Sequence, residues 1–156
     1  MKGLAMINQF SIRGFNLVEL MICVAILGII VSLAVPSYIH YIAQANRTEA
    51  LKELVRVMNM QEGYYTEHGE YALLLSPAFG LPSDEHGFLY LFDSGHYKMR
   101  AQSQQTSLDV TLVIKAQGAQ LQHDSQCADM RLSASGRKSS RDHKGNVTTQ
   151  TCWYTN

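Results

Sequence analysis

The stretch Arg13-Gly14-Phe15-Asn16-Leu17-Val18-Glu19 runs directly into the apolar segment Leu20 to Ile39. This segment has no formally charged side chain, and a helix needs about 20 such residues to cross a bilayer. Glu19 lies at its edge, where an ionised carboxylate in hydrocarbon lacks solvation. The sequence therefore predicts a membrane-spanning helix at about residues 20–39, with an acid at its start that has a function.

A secretory signal peptide is the main alternative for this region, because Lys2 and Arg13 supply a basic N-terminal stretch. The apolar core of such a signal is normally about 7–15 residues long and ends in a small-residue cleavage site. Here the core is longer, and no Ala-x-Ala motif follows it. We therefore expect a retained span, with the basic N-terminus in the cytoplasm and the remainder of the chain outside it.

Helical periodicity continues beyond the apolar segment. Leu51, Leu54, Val55 and Met58 recur at the spacing of one helix face, which predicts an amphipathic half that buries one side. We predict one helix over residues 15–65. Turn-forming residues follow it, from Gly69 through Ser76-Pro77 to Leu81-Pro82-Ser83-Asp84.

Alternating short runs in the second half of the chain predict strands. Tyr97, Met99 and Ala101 share one face, and Val110 to Ala116 and Met130 to Ala134 alternate in the same way. Gln117-Gly118-Ala119 is interpreted as a hairpin turn leading to Gln120–Asp124. The expected fold is α+β: the long helix packs its amphipathic half on a C-terminal antiparallel sheet of about four strands.

The three cysteines differ in their surroundings. Cys23 lies in the apolar segment, where it acts as a small hydrophobic residue. Cys127 and Cys152 belong to the part expected outside the cytoplasm, so we predict one disulfide, worth roughly 3 kcal/mol. A metal site that uses these cysteines with His123 and His143 is the alternative, and the lack of a Cys-x-x-Cys pair favours the disulfide. No metal ion and no cofactor are expected.

Charge gives one local signal. The chain has 13 basic and 13 acidic residues, a balance that indicates no nucleic-acid partner by itself. Between Cys127 and Cys152, however, only Asp129 and Asp142 oppose five basic residues: Arg131, Arg137, Lys138, Arg141 and Lys144. A disulfide-held basic loop of this kind is a candidate contact for DNA phosphates or for a partner protein. The alternative, which we prefer, is a solvated face or a subunit contact.

The N-terminal motif resembles the class III signal of type IV pilins and type II pseudopilins. The similarity continues through Pro36-Ser37-Tyr38, Arg47-Thr48-Glu49-Ala50 and the tyrosine-rich stretch from Gln61 to Tyr71. Asn16 stands where the family usually has Thr. Near the C-terminus the chain is similar to the PilE-like minor pilins of Gram-negative bacteria, at Gly118, Gln120, Asp124, Cys127, Leu132, Gly136, Lys138 and Cys152-Trp153.

The resemblance implies the pilin fold and a processing pathway. Residues 1–14 would be a leader that a prepilin peptidase removes by cutting between Gly14 and Phe15, with N-methylation of Phe15. Residues 15–65 would be the long helix, and residues 66–156 a globular head with the C-terminal disulfide loop. Glu19 would pair with the Phe15 amine of a neighbouring subunit, because a buried carboxylate needs a partner.

The implied function is that of a minor structural subunit of a type IV pilus, in motility, adhesion or DNA uptake. Its partners would be the peptidase, other pilin subunits and the inner-membrane assembly platform. It would be a single-pass inner-membrane protein with a periplasmic head, and later part of an extracellular fibre. A type II secretion pseudopilin and a DNA-binding competence or tip pilin remain alternatives. The sequence contains no Gly-x-Ser-x-Gly, P-loop or His-Glu-x-x-His motif, so no enzyme is expected.

Overall fold

The computed structural model describes residues 14–81, 89–91, 95–103 and 108–154. The predicted leader, apart from Gly14, and the predicted turn at 82–84 lie outside the described residues. The chain divides into two compact units, Met1–Ser37 and Tyr38–Asn156, which we treat separately.

Helix α1 comprises Leu17–His68 and contributes to both units. It ends three residues later than predicted, at a glycine whose conformation stops it. Gly69 has a positive φ of 74°, and its N–H donates to the Tyr65 carbonyl at 2.8 Å. This arrangement is typical of a helix C-terminus, because glycine adopts a left-handed conformation without a steric penalty.

The buried face of α1 in the second unit differs from the predicted stripe. Leu54 and Met58 are buried as expected and Leu51 is half-buried, but Val55 is 43% exposed. The buried set of α1 includes two polar residues, which a search for apolar periodicity does not find: Ala43, Arg47, Ala50, Leu54, Val57, Met58 and Gln61.

Gln61 fixes the chain that follows the helix. Its Nε2 donates to the Ala72 carbonyl at 2.6 Å, and its Oε1 accepts the Ala72 N–H at 2.9 Å. The side-chain amide thus makes the pair of hydrogen bonds that a neighbouring strand would make. Because both backbone groups of Ala72 are buried, these bonds offset the cost of removing them from water. The short helix α2, Leu75–Phe79, follows.

Within the described residues the sheet has five antiparallel strands in chain order, one more than expected. They are β1 Leu89–Leu91, β2 Tyr97–Gln102, β3 Thr111–Ala116, β4 Asp129–Ser133 and β5 Lys138–Arg141. The predictions for β2, β3 and β4 were correct within two residues at each end. The expectation for 117–124 was wrong, since helix α3, Gly118–His123, and a 3₁₀ turn, Ser125–Cys127, connect β3 to β4.

One face of the sheet packs on α1. Tyr97, Met99, Leu112, Ile114 and Met130 are fully buried there, in one cluster with residues of α1 and both disulfide cysteines. Helix α4, Thr149–Trp153, closes the C-terminal side of this core. The predicted α+β class, a long helix on an antiparallel sheet, is confirmed. The opposite face of the strands, called here the outer face, points away from this core.

Candidate functional site

The N-terminal motif lies at the start of α1. Gly14 and Phe15 precede the helix, and the Asn16 Oδ1 accepts the Val18 N–H at 3.2 Å. Glu19 is an exposed acid in the first helical turn, where a carboxylate complements the free N–H groups of the helix end. The Gly14–Phe15 bond is therefore outside the helix and exposed.

The apolar part of α1 in the first unit is exposed along its whole length. Its most hydrophobic 18-residue window has none of its residues buried in the chain. Among the described residues, α1 is the one helix that is long enough and apolar enough to cross a membrane. Membrane anchoring through this segment agrees with that composition.

The predicted disulfide is present. Cys127 and Cys152 are bonded at 2.03 Å, and both are buried. Trp153 packs against the same core cluster, and its Nε1 donates to the Ser139 carbonyl at 3.0 Å. The described residues contain no cluster of three or more His, Cys, Asp or Glu placed to hold a metal ion. The disulfide thus anchors α4 to the 3₁₀ turn before β4.

A buried ion pair joins α1 to Asp124, the residue just before the same turn. Arg47 Nη1 donates to both carboxylate oxygens of Asp124, at 2.9 and 3.1 Å, and lies 2.8 Å from the Cys127 Sγ. Gln120 continues the network, donating to the Ala43 carbonyl and to the Tyr97 hydroxyl. Burial raises the pKa of Asp124, although Arg47 and His40 act to lower that pKa. These contacts fix α3 and the disulfide on the helix.

The five basic residues between the cysteines do not form one loop. They belong to the β4–β5 hairpin and the turn after it, and the strand register separates them. Lys138 pairs with Leu132 and so lies on the core side at the sheet edge, 5.4 Å from the Trp153 ring centroid. Lys144 lies in a turn organised by Asp142, whose pKa is lowered by hydrogen bonds from Asn146. The five basic residues of the disulfide-held segment therefore lie at separate positions.

Arg131 and Arg141 instead share the outer face of the sheet. Asp129 lies opposite Arg141 on β5 and opposite Lys115 on β3, and Lys115 lies opposite Lys98 on β2. A second row across the strands runs Arg100, Val113, Arg131 and Ser139. The outer face thus brings together five cations and one carboxylate from four strands: Lys98, Arg100, Lys115, Arg131 and Arg141, with Asp129.

Three of these cations were missed from the sequence, namely Lys98, Arg100 and Lys115. These three residues occupy the positions between the apolar residues that predicted β2 and β3. The same alternation that identified the strands could therefore have placed these basic residues together on the opposite face. Val113 lies between two arginines and is only 1% exposed, although it faces outward. We attribute its burial to the aliphatic stems of the flanking arginines, which cover apolar surface while their charged ends reach water.

Asp129 orients one of these cations. Arg131 Nε and Nη2 donate to its two carboxylate oxygens at 2.7 and 3.0 Å, and this bidentate contact raises the pKa of Arg131. A guanidinium held in this way loses little further freedom when it binds an anion. The outer face is therefore a positively charged, partly preorganised surface suited to phosphate groups.

The chain is similar to several known proteins. Residues 36–131 match the family model described as "Type IV minor pilin ComP, DNA uptake sequence receptor". The type IV major pilin PilA of Myxococcus xanthus is 38% identical over 60 residues, covering 38% of this chain and 27% of PilA. The fimbrial protein of Neisseria meningitidis serogroup B is 41% identical over 59 residues, covering 38% of this chain and 35% of that protein. The chain thus spans well under half the length of either relative.

A solved type IV pilin from Shewanella oneidensis is also similar. The two chains align with a TM-score of 0.48 at 18% identity, covering 72% of this chain and 99% of the pilin.

Proposed function

Because the chain belongs to the type IV minor pilin family, we propose that it is a pilus subunit that binds DNA on the outer face of its sheet. The observation that carries this proposal is the set of five cations that β2 to β5 place on that face. Cations that neutralise backbone phosphates supply most of the affinity of a protein for DNA. The family description, a receptor for DNA uptake sequences, supports the same function.

The spacing of the cations supports contact with several phosphates. Neighbouring strands lie about 4.8 Å apart, so four strands span roughly 14 Å. This is comparable with the width of the DNA major groove, about 12 Å. A row from Lys98 to Arg141 would therefore reach phosphates on both sides of a groove. Contacts of this kind position a duplex without reading its sequence.

Assembly into the fibre forms the second part of the proposal. A prepilin peptidase would cut the exposed Gly14–Phe15 bond, and the apolar helix would hold the product in the inner membrane until the assembly platform transfers it to the pilus. In the fibre, Glu19 would pair with the new Phe15 amine of a neighbouring subunit, since an amine is positive at neutral pH and a buried carboxylate is costly alone.

DNA binding tests the first part directly. The processed full-length chain in detergent micelles is titrated onto a fluorescent duplex at several salt concentrations. Neutralising two outer-face cations, Lys115→Gln with Arg141→Gln, is expected to weaken binding at least tenfold and to reduce the salt slope by about two.

The control removes the same charge elsewhere. Lys52→Gln with Lys138→Gln changes an exposed residue of α1 and one on the core side of β5. It is expected to leave affinity within about twofold of the wild type, because neither residue belongs to the set of five outer-face cations. An equal loss in both double variants, or a wild type that does not bind DNA, would contradict the proposal.

A further inference from the structure

One end of the outer face contains a cleft that differs from the surrounding cationic surface. It lies beside the β4–β5 turn and has a volume of about 250 Å³. Two arginines line it, Arg131 and Arg137, together with one carboxylate, Asp109. The remaining lining residues all carry hydroxyl groups: Thr111, Ser133, Ser135 and Ser139. A cleft built from hydroxyls and guanidinium groups has the donors that an oxyanion needs.

Strand register places these donors together. Thr111 lies opposite Ser133, and Arg131 lies opposite Ser139, so all four residues occupy neighbouring outer-face positions on β3, β4 and β5. Arg137 joins them through the turn. Gly136, at φ 77°, allows its N–H to donate to the Ser133 carbonyl, and the Arg137 N–H donates to the Ser133 Oγ at 3.2 Å.

The two arginines keep free donors. Arg131 uses Nε and Nη2 for Asp129, and its Nη1 has no acceptor among the described residues. The Arg137 side chain has no hydrogen-bond or ion-pair partner within that same part of the chain. One guanidinium is therefore held in place by a carboxylate, and the other is available at the edge of the turn.

Of the four hydroxyl groups in the cleft, two are bonded to each other and two are available to a ligand. Ser133 and Ser135 hydrogen-bond to each other at 2.8 Å. Thr111 and Ser139 make no side-chain hydrogen bond to the described residues, so their hydroxyls can donate to a ligand. Asp109 opposes an anion, which leaves the lining with a net charge of +1 from its two arginines and one acid. This carboxylate limits the affinity and supplies a way to test it.

We propose that this cleft seats a single phosphate group, bound by Arg131 and Arg137 and by the Thr111 and Ser139 hydroxyls. This proposal rests on the proposed function in one respect, since the phosphate is taken to be one backbone phosphodiester of bound DNA. Free inorganic phosphate has the same chemistry and is the other source. A seated phosphate fixes the position of the duplex relative to the strands, whereas the open cationic rows attract it from any direction.

The test compares single variants of the processed full-length chain in detergent micelles. Arg137→Gln is expected to weaken duplex binding about fivefold for every sequence and to lower the salt slope by about one. Asp109→Asn is expected to tighten binding about threefold, because it removes the opposing charge. Ser139→Ala with Thr111→Val removes the two hydroxyls without changing any charge, and is expected to weaken binding with the salt slope unchanged.

Lys144→Gln is the matched control, since it removes one exposed charge of the same hairpin region outside the cleft. Equal losses for Lys144→Gln and Arg137→Gln, or no gain from Asp109→Asn, would overturn the seat while leaving DNA binding intact. If the wild type binds no DNA, titration with inorganic phosphate decides: chemical-shift changes at the backbone amides of Ser133 and Ser139 that Arg137→Gln abolishes support the cleft with free phosphate, and their absence overturns it.

Discussion

The two halves of helix α1 differ in composition and in whether their side chains are buried within the chain. Residues 17–37 are almost entirely apolar, and every one of them is exposed in the chain. Residues 43–61 are far more polar, yet they contribute the whole buried face of the helix, including Arg47 and Gln61. The hydrophobicity of a segment of this helix therefore does not predict whether that segment is buried within the chain.

The difference lies in where each half finds its partners. Arg47 and Gln61 are buried because Asp124 and Ala72 satisfy their polar groups within the same chain. The apolar half has no such partner in the described residues, so its burial depends on a bilayer or on other pilin subunits. One helix is thus stabilised internally over one half and externally over the other.

The largest effect is expected at the externally stabilised half. Glu19→Gln removes the proposed partner of the Phe15 amine, and an unpaired buried charge costs about 3–5 kcal/mol. Incorporation into the fibre should fall by a hundredfold or more, while cleavage and membrane insertion remain. Mass spectrometry of sheared pili and of the membrane fraction measures both, and Gly14→Val, which crowds the proposed cleavage site, is expected to supply the uncleaved reference.

The comparison is contradicted if Glu19→Gln also lowers the stability of the head. Trp153 is the sole tryptophan of the sequence and packs against the core of the second unit, so its fluorescence reports that unit. Unchanged unfolding of Trp153 with loss of incorporation would show that the two halves are stabilised independently.

A smaller effect is expected at the internal ion pair. Arg47→Leu leaves Asp124 buried without its cation and should lower the free energy of unfolding by about 3 kcal/mol, measured by urea denaturation with Trp153 fluorescence. The double variant Arg47→Leu with Asp124→Leu removes both charges and should recover much of this loss. Exposed Lys52→Leu is the control on the same helix. A loss at Lys52 equal to that at Arg47 would mean that the ion pair is not responsible.

The smallest effect is expected at Gln61. Gln61→Leu keeps the size of the side chain but leaves the buried N–H and carbonyl of Ala72 unpaired, at a cost of about 1–3 kcal/mol. The same denaturation experiment measures it, with exposed Glu67→Gln as the control. A stability equal to that of the wild type would show that water replaces the amide, and that burial of Gln61 is incidental.

Much of the fold was predictable because its signals are local. The helix and three of the strands each follow from spacing along a few residues, and the cysteine pair follows from its place in the part of the chain expected outside the cytoplasm. The structure of residues 117–124 could not be predicted in this way. The short helix Gly118–His123 is held by tertiary contacts, such as those of Gln120 with Ala43 and Tyr97. The predicted helix face was also displaced, because a buried arginine and glutamine are visible only with their partners.

The candidate site shows the same division. The sequence by itself indicated the apolar segment, the disulfide and the presence of basic residues near the C-terminus, and it predicts that the Gly14–Phe15 motif is a processing site. Only the tertiary structure decided which cations act together: it turned Lys138 toward the core side and joined Arg131 and Arg141 with Lys98, Arg100 and Lys115. The physical reason is that alternation along one strand shows which residues share a face, whereas strand register shows which residues of different strands are neighbours. Register depends on packing and pairing between segments that are distant in sequence.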